Sequence, residues 1–377
     1  MPDQINTLDL GIRFIVEPSG PVLLDHEARA LQDLRPAGIM LRKRNFKQNE
    51  PYDSWLKTYR DLLLSCRQAI GRESIVVSID HEGGAVHRFP EPITRFPYAA
   101  TYGANQECVF EVASMMGAEL AALGINVSFS PVADIHSNPS NPVINQRAFG
   151  TEPEGVAAAA IACARGLRQN GVIPCAKHFP GHGDTATDSH FSVPVLSASI
   201  DDLRKRELAP FKALIDSGIE LIMTAHIMVP SLDPDNQATI SPRILTDLLR
   251  SELGFKGLTV ADALGMSGIK DQVAGEAFAV KAHNAGLDLF LFVGDNVSID
   301  DAVLARDRLS NAEAAGHLDR SSLLKVQTRV GSFIDLLPRN EPIIIAAEDL
   351  RRHSELARKL KENAPWSDFK FSPEGFY

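Results

Sequence analysis

Short apolar, β-branched runs bounded by turn residues alternate along this chain with longer stretches whose apolar positions fall three and four apart. The runs are GIRFIV (11–16), GIML (38–41), SIVVSID (74–80), NVSFSPVAD (126–134), PCAKHF (174–179), LIMTAHI (221–227), LTVAD (258–262) and LDLFLF (287–292), eight in all. Between them DSWLKTYRDLLLSCRQAI, ECVFEVASMMGAELAAL, GVAAAAIACARGLRQN, SPRILTDLLRSEL and AGEAFAVKAHNA read as amphipathic helices. Strand followed by helix, repeated, predicts βα units and a parallel α/β sheet. Eight units close most simply into a (β/α)8 TIM barrel, and the joints ELAALGI, RQNGVI, IDSGIE and HNAGLD supply the glycine that ends a helix before the next strand. An open doubly wound sheet is the other arrangement this alternation permits.

Helical sequence continues to about residue 335, so the reading divides the chain into a barrel over 1–335 and a helical, aromatic-rich extension over 336–377 that ends NAPWSDFKFSPEGFY. A chain of 377 residues, 44% hydrophobic, can bury a core of that size, and no low-complexity linker suggests a second large domain. Acidic residues outnumber basic ones by 48 to 38, a net charge of -10 that would repel a phosphate backbone, so nucleic acid is not an expected partner. Cys66, Cys108, Cys163 and Cys175 form no CxxC pair and mostly sit among apolar neighbours, which points to a reducing compartment. The start, MPDQINTLDLGIRFIV, lacks a basic segment followed by a long apolar one, and no run approaches the roughly 18 apolar residues of a membrane span. The expectation is a cytoplasmic protein without a membrane partner. Nothing in the pattern sets an oligomeric state.

Barrel enzymes carry their chemistry at the C-terminal ends of the strands. Here SIVVSID ends in Asp80 and runs on into His81 and Glu82, SFSPVAD ends in Asp134, PCAKHF carries Lys177 and His178, LIMTAHI carries His226, and LTVAD ends in Asp262. A single aspartate in such a place is explained by helix capping. Five strand ends with ionisable residues are harder to explain so. The densest segment is KHFPGHGDTATDSH, from Lys177 to His190, in which Pro180, Gly181 and Gly183 exclude a regular helix and predict a long, shaped loop. Within it Asp188 stands two residues before His190, close enough to orient the imidazole and raise its basicity, which makes His190 a candidate proton shuttle. His182 reads equally as a turn-stabilising residue.

Asp262, at the end of a buried run and before small residues, reads either as a helix cap or as a nucleophile whose ester with an anomeric carbon can be hydrolysed. Position alone leaves the two level. A metal site built from His178, His182, Asp188 and His190 is a further option for a barrel hydrolase, but HFPGH cannot present two histidines on one helical face as HExxH does. There is no P-loop, no GxGxxG after a strand and no GxSxG elbow.

Taken together, AKHFPGHGDTATDSH, SIDHEGGAVHRF, NPVINQRAFG, the long segment from MTAHIMVPSLD to GLTVADALGM, and AGLDLFL resemble, in order, the family 3 glycoside hydrolases, and within them the β-N-acetylhexosaminidase branch of bacterial peptidoglycan recycling. The likeness spans most of 8–300, and the Asp-Ser-His loop is its most specific element. The resemblance implies Asp262 as nucleophile, His190 as general acid/base, Asp188 as its partner, and Asp80, Arg88, Arg147, Lys177 and His178 as the sugar-binding shell. It implies no metal and no cofactor. His81, Ala85, Asn145, Ala261 and Ala263 depart from the branch, where Gln, Arg, Gly, Ser and Asp are common. The second αβα domain of larger members is not expected.

The expected activity is that of a retaining exo-β-N-acetylglucosaminidase acting on a small carbohydrate such as a peptidoglycan fragment. Close rivals use phosphate in place of water or a different β-glycoside. More distant ones are a metal-dependent barrel hydrolase and a sugar-binding protein without turnover.

Overall fold

The computed structural model describes residues 7–185 and 193–362. Its strands are β1 (Phe14–Val16), β2 (Gly38–Leu41), β3 (Val76–Ile79), β4 (Val127–Ser128), β5 (Ile173–Phe179), β6 (Leu221–Thr224), β7 (Met228–Val229), β8 (Asp233–Gln237), β9 (Leu258–Ala261) and β10 (Phe290–Phe292). Eight of them form one sheet in the order β10-β1-β2-β3-β4-β5-β6-β9, every pair parallel. The ends meet at the bridge Val260↔Leu289, where Leu289 N–H donates to the Thr259 carbonyl at 2.9 Å and Ala261 N–H to the Leu289 carbonyl at 3.0 Å. The sheet thus closes, with helices around it, as a (β/α)8 barrel.

Side chains on a strand alternate between faces, and here that alternation sorts them into two separate cores. Ile15, Met40, Val76, Cys175, Leu221, Met223, Leu258, Val260 and Leu291 fill the barrel interior. Their neighbours Phe14, Val16, Ile39, Leu41, Val77, Ile79, Ile222, Phe290 and Phe292 face the helices. Because both faces are buried, the strands read as continuous apolar runs rather than as half-polar ones.

The N-terminal end of the barrel is stoppered by helix Arg320–Asp335, whose Val326, Val330 and Ile334 join Ile12 and Ala37 in the interior core. Beneath the strands Asp288, fully buried, accepts from Arg250 at 2.6 Å, from the Thr259 amide at 2.8 Å, and from Arg329. Arg13 donates to the Leu287 carbonyl at 2.5 Å and the Asp288 carbonyl at 3.1 Å. That end is therefore closed by packing and charge, and the open end is the C-terminal one.

After Leu337 the chain runs along the outside of the barrel, with Ile343 N–H donating to the Ala122 carbonyl and Ile345 N–H to the Tyr52 hydroxyl, into helix Ala347–Glu362. His353 of that helix and Glu119 of helix Gln106–Ala122 are both buried and share a 2.7 Å hydrogen bond. The other Glu119 oxygen accepts the Thr94 amide at 2.9 Å. The extension thereby braces the segment that follows β3.

Seven of the eight barrel strands lie within the runs read from the sequence and β5 begins one residue earlier, at Ile173, with three further local differences. Residues Leu10–Arg13 form a 3-10 turn, so β1 begins only at Phe14. The fourth run supplies only two residues to a regular strand and meets β5 again through the isolated bridge Val132↔Lys177, just past Pro131, which has no amide to donate. The hairpin β7–β8 has no strand signature in the sequence, since its second strand, DPDNQ, holds Asp233, which accepts from the amides of Asp235 and Asn236 and so has the pattern of a turn.

Candidate active site

At the C-terminal end of the barrel one pocket of about 180 Å³ gathers residues from the strand ends, with Asp80, Arg88, Arg147, Lys177, His178 and Asp262 all in its wall. Asp80 follows β3, Lys177 and His178 belong to β5, and Asp262 follows β9. Six side chains from four parts of the sequence meet because the barrel delivers every strand end to one face. Asp188 and His190 lie outside the described residues.

Lys177 and His178 are consecutive, and regular alternation would send them to opposite faces. The β5–β6 ladder shifts register between Ala176 and Phe179, and this irregularity lets both side chains reach the same pocket. Downstream, Gly183 passes so close to Ile135 that a Cβ would lie 1.6 Å from its carbonyl oxygen, so only glycine fits there.

The floor of the pocket is a ladder of alternating charge. Lys177 is buried and its ammonium donates to Asp80 at 2.7 Å and reaches Glu82 at 2.6 Å. Glu82 in turn takes two hydrogen bonds from Arg147, each 2.8 Å, and Asp80 lies 3.7 Å from Arg88. Burial alone would disfavour the charged forms of Lys177 and Glu82. Burial lowers the Lys177 ammonium, but Asp80 and Glu82 outweigh it and hold its pKa above the ordinary value. Glu82 likewise is raised by burial but held below its usual range by Arg147 and Lys177.

His178 presents one ring nitrogen, Nδ1, to Asp134 at 2.6 Å, and the other lies 3.4 Å from Arg147. Asp134 also accepts the amides of His178 and His182, at 3.1 and 2.7 Å. Burial would lift the Asp134 carboxyl, yet the His178 and His182 contacts bring it below normal. An ionised Asp134 keeps Nδ1 protonated and so fixes which His178 nitrogen faces the pocket. His182 lies with its Nδ1 2.8 Å from the Thr185 hydroxyl, and burial, aided by His178, lowers its pKa to about 4. It is neutral at pH 7.

Asp262 stands at the pocket wall with its amide donating to the Thr224 carbonyl at 3.1 Å and its Oδ1 accepting the Ala263 amide at 2.7 Å. Burial would raise its pKa, but His178, the Ala263 amide and Lys177 together lower it. The carboxylate is ionised, partly exposed and faces a cavity. A residue whose role was only to cap a helix would not need that setting.

Glu82 and Asp134 organise this site although the sequence offered them only as ionisable strand-end residues. Which strand ends meet decides their partners, and that is a property of the closed barrel. Met266, Ser267, Asp295 and Asn296, from the turns after β9 and β10, complete the pocket wall. Among the described residues no group of three or more His, Cys, Asp or Glu is placed to hold a metal ion. His178 and His182 sit edge to face with ring centres 6.0 Å apart. Among the described residues no helix is long and apolar enough to cross a membrane.

Residues 12–332 match the family described as Glycosyl hydrolase family 3 N terminal domain. The chain belongs to glycosyl hydrolase family 3. Within the family it is 32% identical over 351 residues to a beta-hexosaminidase of Nitrosomonas eutropha, covering 89% of this chain and 97% of that one. It is 34% identical over 304 residues to beta-hexosaminidase A of Pseudoalteromonas piscicida, covering 75% of this chain but only about half, 51%, of that longer protein. Among solved structures, a family 3 beta-N-acetylglucosaminidase from Paenibacillus sp. superposes with a TM-score of 0.83 at 30% identity, over 95% of this chain and 69% of the other.

Proposed function

We propose that this family 3 glycoside hydrolase is a retaining, exo-acting β-N-acetylglucosaminidase with Asp262 as the nucleophile. The observation that carries the reading is the Asp262 carboxylate itself, ionised by its neighbours and facing a pocket whose wall is Asp80, Arg88, Arg147, Lys177 and His178. An ionised carboxylate can attack an anomeric carbon and form an ester that water later cleaves, which preserves configuration. His190, with Asp188 as its partner, protonates the departing oxygen and then deprotonates the water. Lys177, clamped by two carboxylates, and the buried Arg147–Glu82 pair offer the fixed donors and acceptors that sugar hydroxyls and an acetamido group require. The relatives named as hexosaminidases support the 2-acetamido specificity.

A groove that adjoins the pocket supports a peptidoglycan fragment as substrate. Arg42 and Arg88 line the pocket and also a groove of about 580 Å³ that continues outward past Lys43, Arg44 and Arg95. Arg42 and Arg44 share Glu17 and Asp295, yet the groove lining holds five cationic side chains against the single acid Asp295, which suits an aglycone bearing carboxylates. The same cations favour a second reading, in which phosphate replaces water as acceptor and a sugar phosphate is released.

The test is turnover of an aryl N-acetyl-β-glucosaminide and of the matching aryl β-glucoside by the wild type and by Asp262→Ala, with and without inorganic phosphate. Cleavage of the acetamido substrate alone, abolished in the variant and giving free sugar, is the expected result. A preference for the glucoside would overturn the specificity, a sugar phosphate would establish the second reading, and an active Asp262→Ala would remove the nucleophile.

A further inference from the structure

His226 is buried at the end of β6 and is absent from the pocket wall, yet it lies beside the strand that carries Asp262. Strands β6 and β9 are neighbours with Thr224 opposite Ala261, so the residues just beyond them are brought together. His226 Nδ1 is 2.7 Å from the Thr239 hydroxyl, and Thr239 is 3.0 Å from the Thr224 hydroxyl and 3.1 Å from the Ala225 carbonyl. On the other side of the ring Nε2 is 3.3 Å from the Ala263 carbonyl.

The hydrogens of two threonine hydroxyls and one neutral imidazole allow this network two orders of donation. A threonine hydroxyl has one hydrogen, and a neutral imidazole has one donor nitrogen and one acceptor. If Thr239 gave its hydrogen to the Ala225 carbonyl, Nδ1 would have to be the donor, and the bare Nε2 would face the Ala263 carbonyl as two acceptors. In the opposite order Thr224 donates to Thr239, Thr239 donates to Nδ1, and Nε2–H donates to the Ala263 carbonyl. That order leaves the 3.1 Å Thr239–Ala225 carbonyl contact without a hydrogen and in exchange puts a donor against the Ala263 carbonyl, which also accepts the Met266 amide at 3.1 Å. A doubly protonated ring is disfavoured, since burial, the largest influence on His226, lowers its pKa.

We propose that His226 is a positioning residue for Asp262: its Nε2–H holds the Ala263 carbonyl, which fixes the Asp262–Ala263 backbone, whose amide in turn holds Asp262 Oδ1 and leaves Oδ2 as the attacking oxygen. The inference rests on Asp262 being the nucleophile. The Ala263 amide, 2.7 Å from Oδ1, makes the only hydrogen bond to this carboxylate among the described residues, so the rotamer of the attacking group depends on the backbone that His226 restrains. His226 is not among the residues that line the pocket. Its effect is on the rate of ester formation and not on binding.

The test uses two substitutions that keep polarity but move the donor. Glutamine places its amide nitrogen where histidine has Nε2, and asparagine where it has Nδ1. Pre-steady-state formation of the glycosyl-enzyme on Asp262, followed with a fluorinated glycosyl fluoride that accumulates it, is compared for the wild type, His226→Gln, His226→Asn, His226→Ala and Thr239→Val, with melting curves for each. The expected result is a glycosylation rate within about threefold of wild type for His226→Gln, a loss of at least about tenfold for His226→Asn and His226→Ala, and binding of the sugar changed by less than about twofold throughout. Thr239→Val, which removes the hydroxyl that orients the ring, is expected to fall between them, and it carries the test if the His226 variants do not fold. Equal losses in the Gln and Asn variants, a wild-type rate in His226→Ala, or no effect of Thr239→Val would overturn the proposal. A wild type that forms no adduct on Asp262 would instead refute the nucleophile and take the positioning role with it.

Discussion

Glu82 and Arg147, 65 residues apart in sequence, meet in a buried bidentate pair with both N–H···O distances at 2.8 Å. Lys177 shares the same carboxylate at 2.6 Å. Two cations thus depend on one acid that itself makes no chemistry, and the position of the sugar-facing donors is set from behind by Glu82.

Replacing Glu82 with glutamine leaves two buried cations short of a counter-charge. The unfolding free energy is expected to fall by about 3–5 kcal/mol near neutral pH. The Glu82 carboxyl is depressed in the folded state, because Arg147 and Lys177 outweigh the effect of burial. Its contribution is therefore complete above its unfolded pKa of about 4.3 and is lost as the pH falls toward the folded value. Denaturant titrations from neutral pH down to about pH 3 should show the gap between wild type and Glu82→Gln narrowing with acid. A gap independent of pH contradicts this.

Asp134→Asn removes the charge that fixes the His178 tautomer while preserving shape. A charge-assisted hydrogen bond of about 1.5–3 kcal/mol converts to a loss in kcat/KM of about ten- to a hundredfold. Steady-state kinetics on the aryl acetamido substrate read it. Activity within about twofold of wild type would mean that His178 needs no fixed tautomer.

Asp288 lies at the opposite end of the barrel from the pocket and is fully buried against Arg250 and Arg329. Asp288→Ala is expected to cost about 3–5 kcal/mol of stability. At a temperature where the variant is still folded, its kcat should be close to wild type. A large drop in kcat with a native circular dichroism spectrum would show that the two ends are coupled.

His353→Ala leaves Glu119 buried without its histidine, next to the Thr94 amide it also holds. Thr94 belongs to the segment after β3 that carries Asp80 and Arg88. The expected result is a lower melting temperature together with a raised KM. An unchanged KM would confine the helix Ala347–Glu362 to a purely structural part.

The barrel was legible because strands buried on both faces are continuous apolar runs, and the site because five of the eight runs carry ionisable residues at their ends. Asp80, Lys177, His178 and Asp262 could be picked out for that reason, as could Arg88 and Arg147 through their motifs. Asp134, Glu82 and His226 were visible as residue types only. Asp134 works by meeting His178 across neighbouring strands, and Glu82 by meeting Arg147 from a different loop, contacts that exist only once the sheet closes. The hairpin β7–β8 was hidden because Asp233 spends its side chain on local backbone amides. The pairing of Asp188 with His190 was read from their spacing and lies outside the described residues.

The most direct test of the central claim is to identify the residue that becomes esterified. The wild-type protein is incubated with a fluorinated N-acetylglucosaminyl fluoride that forms the glycosyl-enzyme faster than it breaks down, digested, and analysed by mass spectrometry. One sugar residue attached to the peptide GLTVADALGM at Asp262, absent from Asp262→Ala, is the predicted result. A stable adduct at another residue, or steady turnover without any covalent adduct, would contradict it.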